Sequence, residues 1–409
     1  MDPLSYLFRL EQFGIKFGLE NISTVVARLG HPERTFRSVH VAGTNGKGSV
    51  TAMVDAALRA AGHRSARYTS PHLMELTERF VIDGRQVNRD ALAAVVADIR
   101  DAVDALSREG RLEVQPTFFE VTTAAAFELF RRAHVDVAVL EVGLGGRLDA
   151  TNVVRPDVTA ITSIAFDHQM YLGSTLREIA IEKAGIVKPG VPVVVGEVDP
   201  EADAAIEQVA RDRGAELIRA SADDAGNLDV GLAGRHQRAN AGVAVRVLQT
   251  LDGRGVHVPP AAIASGLANP EWAGRLDLRR LSDGRELLLD AAHNPAGAAA
   301  LASYLASWHR GAPRPPLVFG TMRDKDVAAM LATLAPVAGA LVLTKASTPR
   351  AADPDELRAI ARRVAPASQI HVEPAPADAL AAAWRLAPRV VVAGSIFLLG
   401  DVMKLIGGP

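Results

Sequence analysis

The run Gly43-Thr44-Asn45-Gly46-Lys47-Gly48-Ser49 sets three glycines, a lysine and a hydroxyl between an apolar segment and an amphipathic one, the composition of a polyphosphate cradle. Glycines let backbone N–H groups approach phosphate oxygens, a following helix turns its N-terminus toward negative charge, and Lys47 adds a cation. Ser49 can offer its hydroxyl to the phosphates or to a magnesium ion. The spacing departs from the ordinary Walker pattern: Val41 stands where the first glycine belongs, and Gly48 separates Lys47 from Ser49.

Other polar residues close other apolar runs. Glu141 ends Val135-Asp136-Val137-Ala138-Val139-Leu140, where an unpaired carboxylate would carry a large desolvation cost, so it reads as a magnesium ligand or as half of a structural ion pair. Ser70, in Thr69-Ser70-Pro71-His72, either caps a turn or contacts metal or phosphate. His168, in Asp167-His168, is by itself as compatible with a surface or core histidine as with a ligand. The stretch Gly143 to Asn152 is a structural loop or a site wall. Three further motifs stay open between structure and function: Glu182 to Gly190, with Lys183 and Lys188 around a helix end; Gly234 to Ala241; and Asp290-Ala291-Ala292-His293-Asn294-Pro295.

To work together, these residues need strands that end side by side. β-Branched runs recur at Val39–Val41, Ala66–Thr69, Val135–Val142, Val158–Ile164 and Val191–Val195, between longer Ala- and Leu-rich segments. This alternation predicts an α/β fold with a mainly parallel sheet, whose ligands bind outside the carboxyl ends of the strands. Val50, Met53, Val54, Ala57, Leu58 and Ala61 have helical spacing and Gly62 a stop signal, so a helix is expected over Lys47 to Ala61. A second series, Leu287–Leu289, Leu317–Gly320, Ala340–Leu343 and Val390–Ala393, predicts a smaller α/β unit. The turn-rich Asn269 to Arg275 run divides the two, giving domains at residues 1–271 and 272–409.

Composition narrows the partners. A chain of 409 residues with 48% hydrophobic content favours two domains, and 45 basic against 47 acidic residues provide no overall field for nucleic acid or a membrane surface. The absence of cysteine removes disulfides, thiol catalysis and thiolate metal sites, leaving oxygen and imidazole donors that suit a hard cation. The N-terminus has no basic segment followed by an apolar one, and Val390 to Leu399 is about half the ~20 residues that span a bilayer, so a cytoplasmic protein is expected.

Taken together, the runs resemble bacterial folylpolyglutamate synthase, often bifunctional with dihydrofolate synthase, within the Mur ligase superfamily. The resemblance starts at Gly14 to Ile22 and covers the phosphate loop, Thr69 to Leu73, Glu78-Arg79, Glu141 to Asn152, Asp167-His168 with Leu172-Gly173, and Glu182 to Gly185. It continues through His236-Gln237 with Asn240-Ala241, Gly274-Arg275-Leu276, Asp290 to Pro295, Asp324-Lys325-Asp326 and Gly394-Ser395. It implies an N-terminal P-loop ATPase domain and a C-terminal Rossmann-like domain. The implied reaction is ATP-dependent attachment of L-glutamate to a reduced folate or dihydropteroate carboxylate through an acyl phosphate. Lys47 would contact ATP phosphates within the Gly43, Thr44, Asn45, Gly46, Gly48 and Ser49 loop, while Ser70, Glu141 and His168 would help hold two magnesium ions. Lys183 matches a lysine that is carbamylated in the family. Asn240 and Arg275 match nucleotide contacts, and Asp290 and His293 match residues associated with glutamate. Ala291 stands where the family commonly has Gly. Gln115 to Glu120 resembles the segment near the pterin, with Phe118 as a substrate contact or, like Phe119, a core aromatic. A monomer is the family's default. A cell-wall-type Mur ligase and a nucleotide-controlled switch are the alternatives; no Asn-Lys-x-Asp guanine-reading sequence accompanies the phosphate loop to support the latter.

Overall fold

The computed structural model describes residues 2–14, 16–308 and 313–407; Met1 and Ile15, both in runs read above, lie outside them. Among the described residues fourteen strands form two sheets. The first comprises β1 (Arg37–Ala42), β2 (Ser65–Tyr68), β3 (Phe80–Ile82), β4 (Arg85–Gln86), β5 (Val137–Glu141), β6 (Val158–Ile161), β7 (Val193–Val195) and β8 (Leu217–Arg219). Their spatial order is β4-β3-β2-β5-β1-β6-β7-β8, parallel from β2 to β8, with β3 and β4 antiparallel at one edge.

The central strands are buried on both faces, and their side chains alternate between two cores. Val137 and Val139 of β5 join Val39 and Val41 of β1 against the helices Lys47–Ala60, His236–Gly253 and Pro260–Ala268. Ala138 and Leu140 face the other way, against Arg89–Arg108 and Phe118–Arg132. Register then sets the site: Val41 lies opposite Glu141, Tyr68 opposite Leu140, and Ala42 opposite Ile161. The carboxyl ends of β1, β2, β5 and β6 therefore emerge together.

The second sheet contains β9 (Asp277–Arg280), β10 (Glu286–Asp290), β11 (Leu317–Phe319), β12 (Leu341–Leu343), β13 (Ile370–Val372) and β14 (Arg389–Ala393), ordered β13-β12-β11-β14-β10-β9. It is parallel except for β9, and Asp290 ends β10 beside Ala393 of β14. Leu73 and Met74, from the loop after β2, pack against the core of this second unit, so the two sheets are joined by apolar contact as well as by the chain. No helix among the described residues is long and apolar enough to cross a membrane.

Candidate active site

The helix Lys47–Ala60 starts at Gly46, whose φ of 86° is left-handed, and no side chain caps it. Its first-turn N–H groups thus face the loop without a side-chain acceptor, which suits an anionic ligand. Gly46 is required twice over, because a Cβ there would also lie 2.3 Å from Asn240 Oδ1. Asn240 is held in turn by donating to Gln237 Oε1 at 2.9 Å. The loop is pinned from the end of β6: Thr44 N–H donates to Ser163 O (2.8 Å), Asn45 N–H to Ser163 Oγ (3.0 Å), and Thr162 Oγ1–H to Asn45 O (2.6 Å). Thr162 and Ser163 escaped the sequence reading; their only signal was a pair of hydroxyls at a strand end.

Lys47 Nζ donates to Gly43 O at 3.2 Å and lies 4.0 Å from Glu141 Oε1. Glu141 is 5% exposed, and its Oε2 accepts from Ser70 N–H at 3.3 Å. Burial raises its pKa, opposed by the Lys47 charge. Such a carboxylate, ending a strand beside a hydroxyl and a phosphate loop, fits a hard cation in its donor chemistry. His168 makes its close contacts elsewhere: Lys325 Nζ is 3.3 Å from its Nε2. Burial lowers the His168 pKa to about 4, so the ring is neutral at physiological pH and keeps a lone pair for a ligand. Among the described residues no three His, Cys, Asp or Glu side chains cluster tightly enough to hold a metal without further donors. Substrate oxygens and water would have to complete the shell.

Lys183 is buried, and its Nζ donates to Gly43 O at 2.9 Å. Burial first, and the Lys47 charge second, depress its pKa to about 7. The Gly143 to Asn152 stretch braces the helix Leu176–Ala184 that carries it. Arg147 N–H donates to Glu182 O at 2.8 Å, its guanidinium pairs with the Glu182 carboxylate at 2.8 Å, and Asn152 Nδ2 donates to Gly185 O at 3.1 Å.

The second domain meets this site through Asp167. Its carboxylate takes Lys325 Nζ at 2.5 Å, Asn294 Nδ2 at 3.0 Å and His293 Nε2 at 3.5 Å. Burial pulls the Asp167 pKa upward, but the His293 and Lys325 contacts hold it well below the usual carboxylate range. Asn45 of the phosphate loop and Asn294 exchange amide hydrogen bonds of 3.2 and 3.0 Å. His293 Nδ1 lies 2.8 Å from Ala291 O. Ala291 is not among the left-handed residues, so this turn needs no glycine there. Asp290 accepts from Leu276 N–H (2.9 Å) and Ala292 N–H (3.0 Å); burial raises its pKa against the opposing charge of Arg275. Beside Arg275 an open cavity of about 360 Å³ is lined by Leu232, Glu271, Trp272, Leu276 and Arg279.

Phe118 packs against the core that Ala138 and Leu140 face. It stacks on Phe8 at 6.2 Å, and Arg79 lies over its ring at 5.2 Å, while Phe119 packs toward Tyr68. Arg79 Nε donates to His72 Nδ1 at 3.0 Å, which ties this aromatic patch to the loop bearing Ser70.

A phosphate loop in one α/β domain, faced across a polar seam by a second, defines an ATP-dependent ligase of the Mur type. Residues 41–228 match the Mur ligase middle domain, and residues 274–396 match the Mur ligase glutamate ligase domain. The chain belongs to the dihydrofolate synthase/folylpolyglutamate synthase family. It is 36% identical over 374 residues to a dihydrofolate synthase/folylpolyglutamate synthase of Bacillus subtilis, covering 86% of each chain. Its fold is similar to that of Mycobacterium tuberculosis folylpolyglutamate synthase complexed with ADP and AMPPCP, at a TM-score of 0.90, 32% identity and 100% of both chains. It is also similar to a bifunctional folylpolyglutamate synthase/dihydrofolate synthase with Mn, AMPPNP and L-glutamate bound, at a TM-score of 0.86 and 32% identity over 99% of this chain and 98% of that one.

Proposed function

We propose that this chain attaches L-glutamate to the carboxylate of a reduced folate and of dihydropteroate, consuming ATP and releasing ADP and phosphate. The observation that carries this reading is the meeting, around Asp167 and Asn45, of the phosphate loop with His293, Asn294 and Lys325 of the second domain. A carboxylate reacts poorly with amines because oxide is a prohibitive leaving group. Transfer of the ATP γ-phosphoryl group to a carboxylate oxygen forms an acyl phosphate; the glutamate amine then attacks the carbonyl carbon, phosphate departs, and the nitrogen loses a proton.

In this scheme the chain works by positioning and charge. The uncapped helix start, Lys47 and Ser49 bind the phosphates, and Gly46 lets Asn240 close against the loop. Arg275 and Asn240 contact the rest of the nucleotide. Ser70, Glu141 and His168 would contribute to holding two magnesium ions, which supply neutralisation of charge between ATP and the reacting carboxylate. Asp290 orders the turn that carries His293, and the pair serves the incoming glutamate. Phe118 offers an apolar face to the pterin end. A neutral Lys183 amine can add carbon dioxide and lose a proton to become a carbamate, placing a buried negative charge next to Lys47. We divide the working unit into an ATP-binding domain, residues 1–271, and a glutamate-binding domain, residues 272–409, acting as a cytoplasmic monomer.

Purified protein supplied with ATP, magnesium and radiolabelled glutamate tests the reading. Product is expected with both a reduced folate and dihydropteroate, and folded protein that labels neither acceptor would overturn it.

A further inference from the structure

Gly48, the residue that departs from the ordinary phosphate-loop spacing, has a tertiary partner. A Cβ at this position would lie 2.1 Å from Cζ2 and 2.7 Å from Cε2 of Trp272. The indole of the interdomain linker therefore rests on the backbone between Lys47 and Ser49, the two side chains read as phosphate contacts.

The same helix is held by the linker at a second point. Asp55, two turns further on, is fully buried and accepts from Ser65 Oγ at 2.6 Å and Arg67 Nη1 at 3.1 Å. Arg67 lies 5.8 Å from the Trp272 ring centroid, and its other terminal nitrogen donates to Glu271 O at 3.4 Å. The linker is thus clamped to the helix directly at Gly48 and indirectly through Arg67 and Asp55. On its far side, Leu276 adopts a left-handed φ of 48°, uncommon for such a residue, and its N–H donates to Asp290 at the end of β10. Rotation of the second domain about this linker would press or release the indole at the start of the phosphate-loop helix.

We propose that Trp272 is a positioning residue that couples the setting of the second domain to the phosphate loop, and that Gly48 is glycine to admit it. This rests on the reading of the Lys47 loop as the phosphate site. Four variants test it: Lys47→Ala, Trp272→Ala, Gly48→Ala and the double variant Gly48→Ala/Trp272→Ala, each checked for folding by thermal denaturation, with AMPPNP affinity, KM for ATP and kcat measured. Lys47→Ala should weaken AMPPNP binding; if it does not, the loop reading fails. With that control in place, Gly48→Ala should raise KM for ATP about tenfold, by forcing the indole aside, and should add little once Trp272 is already alanine. Equal damage by Gly48→Ala in both backgrounds would overturn the coupling. Trp272→Ala alone should lower kcat more than it raises KM for glutamate.

A spectroscopic reading keeps the test decisive should Trp272→Ala fold poorly. The sequence has three tryptophans, and W308F/W384F leaves Trp272 as the sole indole emitter. AMPPNP should shift or quench its emission, and an unchanged spectrum at saturating nucleotide would refute contact between this side chain and a loop that responds to phosphate.

Discussion

Lys183 gives the most exacting prediction. Its pKa falls from an ordinary 10.5 to about 7 because the amine is buried and stands near Lys47. That displacement corresponds to about 5 kcal/mol favouring the neutral form. At pH 8 about nine-tenths of such a group is neutral, against roughly 0.3% of an ordinary lysine, an enrichment of about 300-fold in the species that reacts with carbon dioxide. The sign for stability follows. The unmodified lysine costs the folded state most below pH 7, where a buried ammonium must be accommodated, and the cost fades as pH rises toward 10.5. Protein prepared in carbon-dioxide-free buffer at pH 8 should lose most glutamate incorporation and recover it on addition of bicarbonate. At equal dissolved carbon dioxide, recovery at pH 6 should be several-fold slower than at pH 8, since only about a tenth of the amine is then neutral. With ¹³C-bicarbonate a carbamate resonance should appear in the native protein and not in Lys183→Ala. Full activity without carbon dioxide, together with no carbamate signal, would refute the reasoning. In the carbon-dioxide-free protein, Tm should rise between pH 6 and 9, and Lys183→Met should flatten that rise.

Three further outcomes are expected. Lys47→Ala should lower turnover by about 10²- to 10³-fold with the fold retained, because it removes a preorganised cation from developing phosphate charge; near-normal turnover would contradict that role. Arg67→Met leaves the buried Asp55 carboxylate with Ser65 Oγ at 2.6 Å and the Arg59 guanidinium at 3.5 Å as partners, and should cost about 3 kcal/mol by chemical denaturation, the low end for a broken buried pair. The double variant Arg67→Met/Asp55→Leu should recover much of that loss, and a double variant as unstable as the single one would be inconsistent with a penalty from the under-compensated charge. Lys325→Met removes the principal cation on Asp167 and should raise KM for glutamate several-fold more than KM for ATP, with steady-state kinetics as the check. Because the Asp167 pKa is held low, the stability it contributes is present through neutral pH and is lost progressively as pH falls from the ordinary carboxylate range through that lowered value.

How much was legible in advance depended on the range of each interaction. The five β-branched runs of the first series became β1, β2, β5, β6 and β7, since buried parallel strands carry a continuous apolar signature; β1 is longer than its run at both ends, β2 is shifted by one residue, and β5, β6 and β7 are shorter by up to three residues at an end. The helix expected over Lys47 to Ala61 spans Lys47–Ala60. What escaped were strands at or near the sheet edges. β4 is Arg-Gln, β9 is Asp-Leu-Arg-Arg, and β8 and β13 are only partly buried, so none needs the apolar pattern that gave away the centre. The loop after β1 announced a phosphate site because its chemistry is local: glycine conformations, a helix start and one lysine within seven residues.

The sequence by itself determined the α/β class, the two-unit organisation, the phosphate loop and the family resemblance, all of which rest on short-range spacing or on ordered motifs. Only the tertiary structure decided that Asp167 gathers Lys325, Asn294 and His293 from the second domain, that Thr162 and Ser163 pin the loop, and that Trp272 lies on Gly48. The reason is physical. A strand or helix is written in neighbours two to four residues apart, whereas a buried charge or a missing Cβ is explained by a partner that the fold brings from more than a hundred residues away.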